Sequence, residues 1–159
     1  MKKLIAVLAV VTTGFIFAGT AQADDHMSKN NGMISKKSAH SVKETLDRLE
    51  AVLKKKGIGV ALRWSHNEKG ASVGIPLRPT ELLMFGNPKL GTHMFTSKQT
   101  AGIDLPLKAL AWEDEKGQVW LTYNDPAYIA KRHGITDRSE IVAKMTKALD
   151  GLSNAATKP

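Results

Sequence analysis

The sequence predicts an α+β domain behind an export leader, with a small mixed or antiparallel sheet and helices packed on one face. Three observations carry that prediction. Val42, Leu46, Leu49 and Leu53 recur at helical spacing. Short apolar runs over 58–64, 81–85, 105–112 and 119–123 are bounded by Gly, Pro, Asn or Asp, the pattern of strands. In order, the chain reads strand, helix, strand, strand, helix, hairpin and two helices, an arrangement that puts helices on one side of a sheet.

The N-terminus comes first. Lys2 and Lys3 give a positive start, Leu4 to Ala18 is largely apolar, and Ala21-Gln22-Ala23 is a small-x-small cleavage site. The apolar run is shorter than the roughly 20 residues that a spanning helix needs. Residues 1–23 therefore read as a signal peptide, the mature chain begins at Asp24, and the expected location is periplasmic or secreted. After cleavage no stable membrane insertion is expected, because no second apolar run follows.

Residues 24–38 read as a mobile lead-in, with Met33 to Ser38 as a short strand or its approach. The domain is expected over 39–152. Ser41 with Glu44 forms a capping box for the helix 42–56, and Gly57 ends it. Ile58 to Trp64 fits a strand, and 67–74 is ambiguous with a short helix. The continuous apolar run in 81–85 fits a strand without an exposed side. Asn87-Pro88 and Asp125-Pro126 are cap-then-proline helix starts. The acidic segment 113–117 with Gly117 joins two strands as a hairpin. Asp137 is expected to cap the last helix, and 153–159 to fray.

Composition excludes several functions. The chain has no cysteine, so disulfides, thiolate nucleophiles and thiolate metal sites are ruled out. Its formal charge is +8, of which the leader holds Lys2 and Lys3. The basic residues are scattered, with clusters at 36–37 and 54–56, and read chiefly as a solvated face. No basic stripe interleaved with aromatics suggests nucleic acid. The five histidines show no His-Glu-x-x-His spacing, and no Gly-x-Ser-x-Gly elbow or phosphate-cradling glycine loop occurs. No catalytic residue is assigned, and enzyme activity is left open.

A run of segments carries a resemblance: Ser41-Val42 with Thr45 and Arg48-Leu49, then Arg63-Trp64-Ser65-His66, then Pro79-Thr80-Glu81-Leu82-Leu83-Met84-Phe85-Gly86-Asn87-Pro88. Asp104-Leu105-Pro106-Leu107, Trp112-Glu113-Asp114 and Tyr123-Asn124-Asp125-Pro126 follow in order. From about residue 40 to 135 the chain resembles the domain-of-unknown-function 302 family. The resemblance implies a compact α+β domain, often a homodimer, and an association of some members with haem. The family pattern has an acid before the histidine; Ser65 stands there in this chain.

Two candidate sites follow. At the end of a strand, His66 could ligate haem iron or another small planar ligand. Met84 and Met94 are conceivable second ligands, with Phe85, Phe95, Trp64 and Trp112 lining the pocket. The alternative for these residues is ordinary core packing, with the histidine bonded to backbone. The second site is the mature N-terminus. Cleavage would free the amine of Asp24, and Asp24-Asp25-His26 could then close four nitrogens around Cu(II), an ion that favours square-planar coordination. The functional expectation is an exported small-ligand-binding protein; the alternatives are a ligand-free dimeric envelope module and a haem-dependent redox enzyme.

Overall fold

The computed structural model describes residues 26–29 and 31–159. Residues 1–23, expected to be a signal peptide, and Asp24 and Asp25 lie outside the described residues. Among these residues twelve elements follow one another. They are β1 (His26–Lys29), β2 (Met33–Ser38), α1 (Val42–Lys55), β3 (Gly59–Ser65), α2 (His66–Ser72), β4 (Thr80–Gly86) and α3 (Pro88–Ser97). A 3-10 turn (Gln99–Ile103), β5 (Leu107–Glu113), β6 (Val119–Asn124), α4 (Pro126–Arg132) and α5 (Ser139–Thr157) complete the chain.

The six strands form one sheet in the order β1-β2-β6-β5-β4-β3, and every neighbouring pair is antiparallel. Fold class α+β is thus observed, with the antiparallel form of the two sheets expected. Strand alternation separates two faces. On one, Leu83, Phe85, Ala109, Ala111, Leu121 and Tyr123 pack against Leu46, Leu49 and Leu53 of α1 and Leu149, Leu152 and Ala156 of α5. A second cluster joins Met94 of α3, Leu105, Ala130 of α4 and Met145 of α5.

The local signals explain the ends of the elements. The Ser41 hydroxyl accepts from the Glu44 amide at 3.2 Å, which starts α1. Gly57, at φ 65°, takes the left-handed conformation that ends it. In the β5–β6 hairpin one Asp114 carboxylate oxygen accepts the Lys116 and Gln118 amides, and the other accepts the Trp120 indole at 2.9 Å.

Four expectations are corrected. Segment 24–38 is not a lead-in over its length: β2 pairs with β6 from Met33↔Asn124 to Ser38↔Val119, and β1 pairs with β2. Alternation then turns Lys36 inward and Lys37 outward. Lys36 is only 3% exposed, and its ammonium donates to Asp150 Oδ1 (2.6 Å), the Asp150 carbonyl (3.0 Å) and Asn154 Oδ1 (2.8 Å). The C-terminal segment does not fray at 153, because α5 runs to Thr157 and buries Ala156 and Thr157. Asp137 does not cap α5; its carboxylate accepts from Ser97 and Arg138, and Arg138 occupies the cap position.

Candidate functional site: an apolar cleft

The sheet narrows to two glycines where β3 begins and β4 ends, with Gly59 opposite Gly86. Beside them the chain turns into α3, whose start is fixed by its own residues. Asn87 Oδ1 accepts the Lys89 amide at 3.0 Å, and the Asn87 carbonyl accepts those of Leu90 and Gly91. Pro106 closes from the other side, after a cis Leu105–Pro106 bond. A Cβ on Gly86 would stand 3.3 Å from Pro106 Cβ, a tight contact that glycine avoids.

These segments enclose a cleft of about 410 Å³. Ile58 to Ala61 and Phe85-Gly86 form its floor, α3 from Pro88 to Phe95 one wall, and Leu105 to Leu107 another. Met145, Ala148, Leu149 and Leu152 of α5 form the back. Asn87 and Thr92 are the polar side chains at its margin, and among the described residues no titratable side chain lines it. Gly91 faces open space: a Cβ there would meet nothing within 4 Å. A second depression of about 610 Å³ has only eight lining residues, from α1 and the start of β3, and is correspondingly open to solvent.

The predicted haem residues do not surround one space. Phe85 is buried in the core, on the face covered by α1 and α5. Met84 pairs with Leu62, and Trp64 with Leu82, on the outer face. His66 is exposed as the first residue of α2, one residue beyond the Ser65↔Glu81 pair at the far end of the ladder from the cleft. Ser65, in the family's acidic position, accepts the Glu68 amide and starts α2. Of the predicted ligand and lining residues, Phe85 and Phe95 reach the cleft, whereas His66, Met84, Met94, Trp64 and Trp112 do not. In the second candidate site, His26 opens β1 opposite Lys36. Among the described residues no group of three or more His, Asp or Glu side chains is placed to hold a metal ion.

Other charged groups are tied into the scaffold. His133 Nε2 pairs with Asp104 Oδ2 at 2.7 Å, and its Nδ1 with the Thr100 hydroxyl at 3.1 Å. Arg132 donates to the other Asp104 oxygen at 3.2 Å. This line of groups clamps the end of α4 to the 3-10 turn. Arg63 bridges Asp47 of α1 and Glu81 of β4. Hydrogen bonds from Lys43 and then Arg63 hold the Asp47 carboxyl below its ordinary range. The indole of Trp120 does the same for Asp114.

The outer face is unusual for an antiparallel sheet, whose free side is commonly polar. Trp64, Leu82 and Leu110 form one cross-strand row, and Leu62 and Met84 another. Trp112 and Trp120 stack beside them with centroids 6.5 Å apart.

A six-stranded antiparallel sheet, helices on one face and an apolar cleft at one end define a small α+β domain with a preformed cavity. The sequence matches DUF302, Domain of unknown function DUF302, over residues 34–152, and the chain belongs to that family. A crystal structure of an uncharacterized conserved DUF302 protein from Bacillus stearothermophilus shares the fold. Its TM-score is 0.72 at 23% identity, covering 79% of this chain and 98% of that one. The chain is also 45% identical over 115 residues to Fluoride-specific ion channel FluC 1 of Brucella suis biovar 1 (strain 1330), covering 72% of this chain and 45% of that protein. Fluoride-specific ion channel FluC 2 of Brucella melitensis biotype 1 matches at the same identity over 43% of its length. The chain thus spans less than half of these curated relatives. Among the described residues no helix is long and apolar enough to cross a membrane.

The cleft itself was missed in sequence. Its letters were visible, since Phe-Gly-Asn-Pro and Leu-Pro-Leu supply two of its walls. Their meeting in space was not.

Proposed function

We propose that this is an exported binding domain that holds a small, uncharged apolar ligand, flat or elongated, in the cleft between α3, α5 and the β3–β4 end. The observation that carries the reading is the cleft itself. Protein interiors pack nearly as densely as organic crystals and leave few voids larger than a water molecule. About 410 Å³ of space lined by Phe85, Leu107, Phe95, Met145 and Leu149 is within the size range of small-molecule sites. Three glycines line the cleft, at 59, 86 and 91, and side chains at those positions would narrow it. Native mass spectrometry of protein purified from its periplasmic fraction tests the reading. The expected result is an apolar adduct that Gly91→Leu abolishes, on a chain beginning at Asp24. A wild-type protein that carries no adduct and takes up no apolar probe would sink it.

Haem ligated by His66 is a separate reading, located on the outer face beside Trp64 and Met84. In the cleft Met145 is the single soft donor, so the residues there do not fit a histidine-ligated haem. A Soret band lost in His66→Ala and kept in Gly91→Leu would favour the outer face over the cleft.

A second function is supported by the curated relatives. Most of the 115 matched residues fall within a domain that has no membrane-spanning helix among its described residues. Those proteins are named as fluoride-specific ion channels, and this chain spans less than half of their length. The corresponding reading here is an envelope module that works beside an ion channel. Deleting the gene and measuring growth in fluoride tests it: unchanged tolerance removes the reading.

A further inference from the structure

The segment between α2 and β4 exposes apolar side chains that the fold does not use. Val73 is 70% exposed, Ile75 60% and Leu77 51%. They are not on a loose tether. The Ile75 amide donates to the Gly70 carbonyl at 2.9 Å, and the Thr80 amide to Asn67 Oδ1 at 3.0 Å. Arg78 Nε donates to the Glu113 carbonyl at 3.2 Å. The segment folds back so closely on α2 that a Cβ on Gly70 would stand 2.5 Å from the Ile75 carbonyl oxygen. Pro76 and Pro79 stiffen it further. The chain thus holds three apolar side chains in water in a preset arrangement.

Cations flank them. Arg78 follows Leu77 directly, and Lys69 Nζ lies 5.0 Å from the centroid of Trp64, which is itself 41% exposed. Glu68 is the one acid between His66 and Pro79, the acidic turn that starts at Glu113 adjoins Arg78, and the chain from Asp24 onward carries +6, the +8 of the whole less Lys2 and Lys3. A two-fold contact centred on these side chains would gather Lys69 and Arg78 of both copies into one interface, an unfavourable accumulation of like charge. An anionic lipid surface instead takes apolar side chains into the headgroup boundary and neutralises the cations beside them. Trp64 has the amphipathic ring that suits that boundary.

We infer that Val73, Ile75 and Leu77, with Lys69, Arg78 and Trp64 around them, dock the domain peripherally on an anionic membrane surface. This surface is separate from the cleft, and the inference does not depend on the ligand-binding reading.

The test uses the chain beginning at Asp24. That form contains every described element, from His26 onward. Sedimentation is measured with vesicles of phosphatidylcholine alone and of phosphatidylcholine mixed with phosphatidylglycerol. The wild type should bind the anionic vesicles, with a blue shift of tryptophan emission, and leave the neutral ones unbound. Ile75→Ser/Leu77→Ser should lower that binding roughly tenfold or more, and Lys69→Glu should lower it and reduce its salt dependence. Circular dichroism and thermal unfolding of both variants should match the wild type, because the altered side chains are exposed. No binding by the wild type, or equal binding by Ile75→Ser/Leu77→Ser, overturns the inference. So does a dimer in solution that this double variant converts to monomer, which would assign the surface to a second copy.

Discussion

Gly91 separates the stability of this protein from its proposed function. It sits inside α3, where glycine is about 1 kcal/mol less favourable than alanine or leucine. A Cβ at this position meets nothing within 4 Å, so the usual penalty for enlarging a packed residue does not arise. Gly91→Leu should therefore stabilise the fold by about 1 kcal/mol, which for a domain of this size raises Tm by roughly 3–5 °C. The same side chain extends into space that a ligand would occupy. Displacing even two methylenes of ligand forfeits about 1.6 kcal/mol at about 0.8 each, a loss of more than tenfold in affinity. Titration with phenylnaphthylamine, an uncharged fluorescent probe, measures that loss, and circular dichroism measures Tm. Gly91→Ala is the control: it should raise Tm similarly and leave most of the binding intact. A stable Gly91→Leu protein that binds the probe as tightly as wild type would show that the cleft is not the site. A lower Tm would refute the assignment of Gly91 to open space.

Three further outcomes are expected. Lys36→Ala should cost about 2 kcal/mol by urea unfolding, because three hydrogen bonds from a charged donor are lost while the Asp150 side chain, 62% exposed, stays hydrated; a cost below about 0.5 kcal/mol would contradict the buried geometry. The Asp47 carboxyl titrates below its ordinary value of 3.8 because it accepts from Lys43 and Arg63, so the unfolded chain takes up its proton first as pH falls. That stabilisation is complete above about pH 5 and is lost as pH drops below about 4, so Asp47→Asn should flatten the acid limb of the urea-midpoint profile. Cu(II) added to the chain beginning at Asp24 should give a weak visible band that His26→Ala and a one-residue N-terminal extension both remove; an extended chain that binds equally well would exclude the free amine as a ligand.

The parts of this fold that were legible in sequence are those written locally. Helix α1 carries its cap, its apolar stripe and its stop within 17 residues, from Ser41 to Gly57, and it formed where the pattern put it. Lys36 shows the opposite case. Beside Lys37 it reads as part of a solvated pair, and only α5, more than a hundred residues later, supplies the acceptors that let it be buried. The grouping of Phe85 with Met84 and Trp64 failed for a reason the sequence did contain. Neighbours on a strand point to opposite faces, so Phe85 and Met84 were never able to line one pocket. The cleft had no such local signal, since Gly59, Gly86 and Gly91 are spaced by topology and not by any period.

The two proposed surfaces lie at opposite ends of the same strand. Gly59 borders the cleft, whereas Ser65 leads directly into α2 and the exposed segment after it. At about 3.3 Å per residue, β3 separates them by roughly 20 Å. A domain docked through Ile75 and Leu77 would therefore hold its cleft away from the lipid, and a ligand would enter from the aqueous side. Sites this far apart with no shared partner are expected to act independently. Anionic vesicles should accordingly leave the phenylnaphthylamine affinity unchanged, Ile75→Ser/Leu77→Ser should keep full probe binding, and Gly91→Leu should keep full vesicle binding. Probe affinity that rises or falls when vesicles are added would show that the membrane reaches the cleft, and the arrangement of the two surfaces along β3 would have to be abandoned.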